Sequence, residues 1–183
     1  MKPILFLFPI IAVVAVGILY LKLLKNTINK KGLYRFLLII LLVAFVLNLI
    51  WELVQIPLYQ GGMYSIGHIA FCTLAAVADA IMTLLLYLIF VFILKNLFWI
   101  HPIKWPTVLM VVLVGGICAI LSEIRQLSIG SWSYADTMPI IPIVKVGLLP
   151  TLQFMLLPML IYRLSFFRLP KKLVKTHSDV NHL

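Results

Sequence analysis

Four of the chain's five acidic residues, Glu52, Asp79, Glu123 and Asp136, lie inside or at the rim of long apolar segments rather than in basic loops. A carboxylate in hydrocarbon is costly, so an intramembrane acid turns inward, finds a partner or gives up its charge, and is a functional-site candidate by default. A carboxyl kept from water holds its proton and serves as a general acid, whereas a better-solvated one is a general base. Several such groups around one wet chamber would suit hydrolysis or group transfer.

The spacing of their neighbours supports a common chamber. Asn48, Glu52, Gln55 and Tyr59 recur at steps of four, three and four, which is one stripe of a helix. His68, Cys72, Ala75, Ala76, Asp79 and Thr83 form a second stripe, with small residues where another helix can approach closely. Gly116, Ala119, Glu123 and Gln126 form a third. Asp79 lies about 16 Å along its helix from His68 at 1.5 Å per residue. The stripes therefore predict a polar pocket that tapers from a rim near His68 to a deep Asp79. Some of these polar groups, Asn48, Gln55 and Thr83 above all, also suit plain interhelical hydrogen bonding.

The elements that must hold these groups follow from composition. Of 183 residues, 64% are hydrophobic and 11% charged, and the mean hydropathy is +1.17. A soluble domain carries about 25% charge. The chain therefore reads as an all-α, polytopic membrane helix bundle, with a single bundle domain over residues 1–170 and a basic cytoplasmic tail over 171–183. About five segments have the roughly 20 apolar residues needed to cross a bilayer: Pro3 to Leu24, Leu33 to Pro57, Ile66 to Leu94, Trp105 to Leu127 and Ile143 to Phe167.

The net charge of +10 falls in short connections, so it reports topology rather than nucleic-acid binding. Lys22, Lys25, Lys30, Lys31 and Arg35 flank the first connection, Lys95 and Lys104 the third, and Arg168, Lys171, Lys172 and Lys175 follow the fifth segment. The positive-inside rule then puts the N-terminus outside and the C-terminus in the cytoplasm of a plasma (inner) membrane. The first segment reads as a retained helix rather than a secretory signal, because it lacks an Ala-x-Ala site and most of the positive charge follows it.

The loop from Gly130 to Pro139 hangs over the outer ends as a lid or re-entrant hairpin. Its Trp132 and Tyr134 suit the headgroup level, as belt anchors or as substrate contacts. Arg125 can clamp a phosphate or pair with Glu123 or Asp136, and Lys145 offers the same choice. Cys72 and Cys118 default to inert packing residues, with a disulfide the minor alternative. No cofactor is predicted. A divalent metal among His68, Glu52, Asp79 and Glu123 is the minority reading, since no recognised ligand spacing is present.

The run Ser122-Glu123-Ile124-Arg125-Gln126, followed by a glycine-containing turn and Asp136, resembles the Glu-x-x-Gln then Asp signature of VanZ-like membrane proteins. These belong to the lipocone set of small helical bundles. His68 matches the histidine that the pattern carries near the start of an earlier helix. The pattern's Arg between Gln and Asp is replaced by Ser131 and Trp132, and its later Asn and Gly by Pro139, Pro142 and Gly147. The likeness spans about a fifth of the chain. It implies chemistry on an amphiphilic, lipid-linked substrate whose headgroup meets the protein at the outer leaflet. Glu52-Leu53-Val54-Gln55-Ile56-Pro57 is similar to a segment of sterol-isomerase-like proteins, but six residues carry no inference.

The expectation is an enzyme, a hydrolase or transferase of lipid- or polyprenol-linked headgroups. Its catalytic groups would be Glu123, Glu52, His68 and Asp79, and its substrate contacts Arg125, Gln126, Gln55, Tyr59, Trp132, Tyr134 and Asp136. Membrane lipid is the expected surrounding partner, with homo- or hetero-oligomers open and nucleic acid excluded. The alternatives are a small proton-coupled transporter, with Asp79 as carrier, and a non-catalytic subunit of a membrane complex.

Overall fold

The computed structural model describes residues 7–25, 27 and 29–168. The basic tail predicted over 171–183 lies outside them. Five helices run in chain order: α1, Leu7–Lys25; α2, Lys30–Gln55, extended by a 3-10 turn over Ile56–Leu58; α3, Ile66–Leu94; α4, Trp105–Ser128; and α5, Leu148–Phe167. Among the described residues four of these, α2 to α5, are long and apolar enough to cross a membrane. The multi-pass helical membrane protein expected from composition is thus the observed class.

Helix ends follow local chemistry. The Asn29 side chain accepts from the Gly32 N–H at the start of α2, and Ser65 accepts from the His68 N–H at the start of α3, each supplying a partner to an amide the helix cannot satisfy. Pro57 tightens the end of α2 into its 3-10 turn. Lys95 closes α3 in the left-handed conformation, φ 51°, its N–H bonded to the Val91 carbonyl.

The fifth helix starts at Leu148, not at Ile143 as its apolar run suggested. Residues 140–147 instead form an antiparallel hairpin of β1, Ile140–Ile141, and β2, Val146–Gly147, with Ile140 opposite Gly147. Lys145 at φ 55° makes the reversal, and Pro142 has no N–H to give a helix. This hairpin is a small departure from an all-helical chain.

In space the order is α1, α3, α2, α5, α4, each packed on the next. Helix α5 thus touches both α2 and α4, which do not pack extensively on one another. Leu42, Val46, Ile50 and Val54 on α2, and Leu109, Leu113, Ile117 and Leu121 on α4, recur at steps of four and are 52–67% exposed. Continuous apolar stripes this exposed belong against acyl chains.

One half of the bundle is an aromatic core. Tyr87 on α3 meets Phe36 on α2 edge-on at 5.5 Å, stacks on Trp99 of the α3–α4 connection at 5.3 Å, and meets Tyr162 on α5 at 5.0 Å. Both phenols find acceptors: Tyr87 donates to the Leu97 carbonyl, and Tyr162 to the Thr83 carbonyl at 2.7 Å. The satisfied hydroxyls let both phenol rings be buried, whereas the Trp99 Nε1–H beside them is buried without a partner among the described residues.

Helices α4 and α5 meet at a matched pair of irregularities. Pro158 inside α5 has no N–H for the Phe154 carbonyl four residues earlier. That carbonyl faces Gly115 of α4 so closely that a Cβ on Gly115 would lie 2.1 Å from it. Gly115→Ala is therefore expected to lower stability by about 1–3 kcal/mol, whereas Gly67→Ala, with nothing within 4 Å of its Cβ position, should be near neutral. Thermal unfolding of both variants in the same detergent checks this, and equal effects would refute the close approach.

Candidate functional site

Helices α2 and α3 bring polar groups to one point in the other half of the bundle, and a residue on α5 ties them together. Gln153, only 2% exposed, donates from Nε2 to Asn48 Oδ1 at 2.9 Å, to Asp79 Oδ2 at 3.0 Å and, more weakly, to Glu52 Oε1 at 3.4 Å. An amide nitrogen has two hydrogens, so the two short bonds take them and Glu52 shares one. Asn48 in turn donates to the Ala44 carbonyl at 2.9 Å, which fixes its oxygen toward Gln153. Gln55 donates to Glu52 Oε1 at 3.0 Å.

Glu52 and Asp79 share the Gln153 Nε2 donor, which brings the two acids together. Both residues remain half-buried.

Glu123 on α4 forms the second tier. It is 7% exposed, and its Oε2 accepts from Trp132 Nε1 at 3.3 Å and from the Tyr134 hydroxyl. Trp132 and Tyr134 thus hold an acid, a role that neither belt anchoring nor substrate contact had suggested. The Tyr134 ring lies against Gly147, where a Cβ would come within 3.2 Å of it. The hairpin that delays α5 therefore positions this ring.

A cover closes over both tiers. Tyr59 pairs with Tyr134 in an isolated antiparallel bridge. Gln60 N–H donates to the Ser133 carbonyl at 2.9 Å and Ala135 N–H to the Leu58 carbonyl at 3.0 Å. The Ser133 hydroxyl donates to Gln60 Oε1 at 2.7 Å. Gly62 is required in this turn, since a Cβ there would lie 2.0 Å from the Ile56 carbonyl. The predicted lid is thus a clasp of two loops rather than one re-entrant hairpin.

The Tyr59 ring lies 6.2 Å from Trp132 and 5.6 Å from Tyr134. Burial drives its phenol far above the ordinary range, and the charges of Glu123, Glu52, Tyr134 and Asp79 push the same way. Burial also raises the Tyr134 phenol, helped by its bond to Glu123 and opposed by the Gly147 backbone. Both phenols stay protonated at any working pH. Tyr134 spends its proton on Glu123, while the Tyr59 hydroxyl makes no hydrogen bond to the described residues.

The remaining expected residues fall outside this cluster. His68 is half-buried in the first turn of α3, with no side-chain hydrogen bond to the acids. Gln126 accepts from the Ser131 hydroxyl at 2.9 Å and so shapes the turn after α4. Arg125 is half-buried, about 200° round the helix from Glu123, and Asp136 is exposed on the cover. Cys72 is buried, Cys118 exposed, and both are free thiols. Among the described residues no group of three or more His, Cys, Asp or Glu is arranged to hold a metal ion.

Sequence reasoning missed Gln153, although the signal was there. It is an amide in the middle of the apolar run Leu152-Gln153-Phe154, the same oddity that flagged the acids. Gln153→Leu leaves three acceptors short of a donor and should cost about 1–3 kcal/mol. Asp79→Asn should cost less in that background than in the native chain, with a coupling of roughly 0.5–1.7 kcal/mol. Unfolding midpoints of the four members of this double-mutant cycle measure it, and strict additivity would show that the two side chains act apart.

No protein-family model, curated protein or solved structure matches the chain.

Proposed function

We propose that the chain is an enzyme of a plasma (inner) membrane that hydrolyses or transfers lipid- or polyprenol-linked headgroups at the extracytoplasmic face. In this reading all five helices span the bilayer, with the N-terminus outside and the C-terminus cytoplasmic. The ends that carry Lys22, Lys25, Lys30, Lys31, Lys95, Lys104 and Arg168 face the cytoplasm, as the positive-inside rule favours. The clasped loops and the acids beneath them then face outward.

The observation that carries the proposal is the convergence of Glu52, Asp79 and Glu123 from three helices beneath a cover of Tyr59, Trp132 and Tyr134. Glu123 acts as the principal base on the attacking hydroxyl or water, and Glu52, with Asp79 behind it, gives a proton to the leaving group. Tyr59 offers its unused hydroxyl to the substrate, and His68 at the entrance of α3 exchanges protons with water. Arg125 faces another side of α4, so this scheme compensates charge by protons rather than by a guanidinium. The VanZ-like signature around Glu123 agrees with a headgroup substrate.

Two features favour this over a transporter. The polar stripe stops at Thr83, below which Tyr87, Leu88 and Tyr162 are fully packed, so the acids have a polar approach from one side only. Helices α2 and α4 lean on α5 without packing extensively on each other, which gives a lipid-borne substrate a lateral way toward Glu52 and Glu123.

Mass spectrometry of lipid extracts from cells with and without the protein tests the proposal. Loss of the protein should accumulate a headgroup-bearing lipid. Glu123→Gln and Glu52→Gln, at normal expression, should reproduce that profile through a rate loss of about 10²–10⁴, and Tyr134→Phe should do so partially. An unchanged profile on removing the protein, or full activity of both acid variants, would refute it.

A further inference from the structure

At the opposite end of the bundle from the acids, the described residues line a half-open surface pocket of about 250 Å³ between the α3–α4 connection and the last turn of α5, with His101 and Arg163 themselves exposed. Its walls are Ile100, His101, Ile103, Arg163, Phe166 and Phe167, with Pro102 completing the rim. The volume is roughly eight times the ~30 Å³ that one water occupies in the liquid. It falls below the roughly 300–1,000 Å³ of sites that engulf a drug-sized ligand. A lipid headgroup fits; a whole lipid does not.

The wall chemistry selects an anion. The Arg163 guanidinium lies 5.6 Å from the centre of the Phe167 ring, and the His101 imidazole stacks on Phe166 at 4.9 Å and 20°. Each of the two nitrogen-bearing side chains thus packs on a neighbouring ring at the edge of the same pocket. The four acids among the described residues are Glu52, Asp79, Glu123 and Asp136, none of which lies at this end. Lys104 and Arg168 border the wall residues in sequence and add positive charge.

The position selects a membrane lipid. The span of α5 ends at Phe167 and that of α4 begins at Trp105, so the cavity sits at the boundary of hydrocarbon and headgroups. Phe167 is 67% and Ile103 39% exposed, an apolar shoulder for acyl chains, while Ile100 at 3% forms the floor. The connection is preformed: Asn96 Oδ1 accepts from the Phe98 N–H at 2.8 Å, His101 N–H donates to the Phe98 carbonyl at 2.9 Å, and Trp99 and Tyr87 anchor it in the core.

From these observations we infer that this cavity binds the phosphate headgroup of an anionic glycerophospholipid, with Arg163 and His101 as donors. The site is separate from the acid cluster and does not depend on the function proposed above.

Nanodiscs of phosphatidylcholine with graded phosphatidylglycerol, read by native mass spectrometry of retained lipid, provide the test. The unaltered protein should retain phosphatidylglycerol in preference to phosphatidylcholine. Arg163→Gln should lower that preference roughly tenfold, the loss expected of one charge-assisted hydrogen bond. Arg163→Lys should fall between, because a point charge replaces a two-pronged donor. His101→Phe keeps the stack on Phe166 but removes the donors, and it should weaken retention without moving the lipid-free unfolding midpoint. Lys31→Gln, at the same end but away from the cavity, should have little effect. Equal losses in Lys31→Gln and Arg163→Gln, unchanged retention in both cavity variants, or binding of inorganic phosphate with no lipid preference would each overturn the inference.

Discussion

In hydrocarbon, carboxyl groups on neighbouring helices are tolerable only when something donates to them, and Gln153 does so for α2 and α3 together. Lipid offers no hydrophobic drive between helices, so close packing and polar contacts must hold them together. One amide joined to Asn48, Glu52 and Asp79 fixes the azimuth of three helices at once. Because α5 also carries the contact with α4 through Gly115 and Phe154, the same helix sets the distance between the Glu52 and Glu123 tiers.

The bundle divides into unlike halves. Toward the α3–α4 connection, Phe36, Tyr87, Trp99 and Tyr162 form a ring lattice whose hydroxyls are all spent on backbone carbonyls. Toward the clasped loops, the aromatic groups serve an acid instead: Trp132 and Tyr134 donate to Glu123, and the Tyr59 ring packs on both. The rigid half gives the polar half a floor. The loops supply a roof from backbone pairing between segments more than seventy residues apart.

Much of this was legible in the chain itself. Apolar run lengths located α2, α3 and α4 within a few residues, and a period of 3.6 correctly put Asn48, Glu52 and Gln55 on one face. The start of α5 was not legible, because Ile140 to Val146 is as apolar as a helix; only Pro142 and Gly147 hinted at a hairpin. Nor was the attachment of Trp132 and Tyr134 to Glu123, since it depends on how a loop folds back across a helix end. Gln153 carries no charge and so stands out less in the sequence than the acids do. Yet a neutral amide is a cheaper way to place donors in the membrane, and its burial in an apolar run carried the same information as the acids.

Under the proposed function, the side on which α2 and α4 each pack on α5 rather than on one another has a kinetic consequence. A reactant that slips in sideways from the bilayer is sampled in two dimensions, so its mole fraction among lipids would govern turnover, not its amount per volume of buffer. Diluting the host vesicles with inert phospholipid would then slow the protein at constant bulk composition, as it would not for a solute arriving through the aqueous roof.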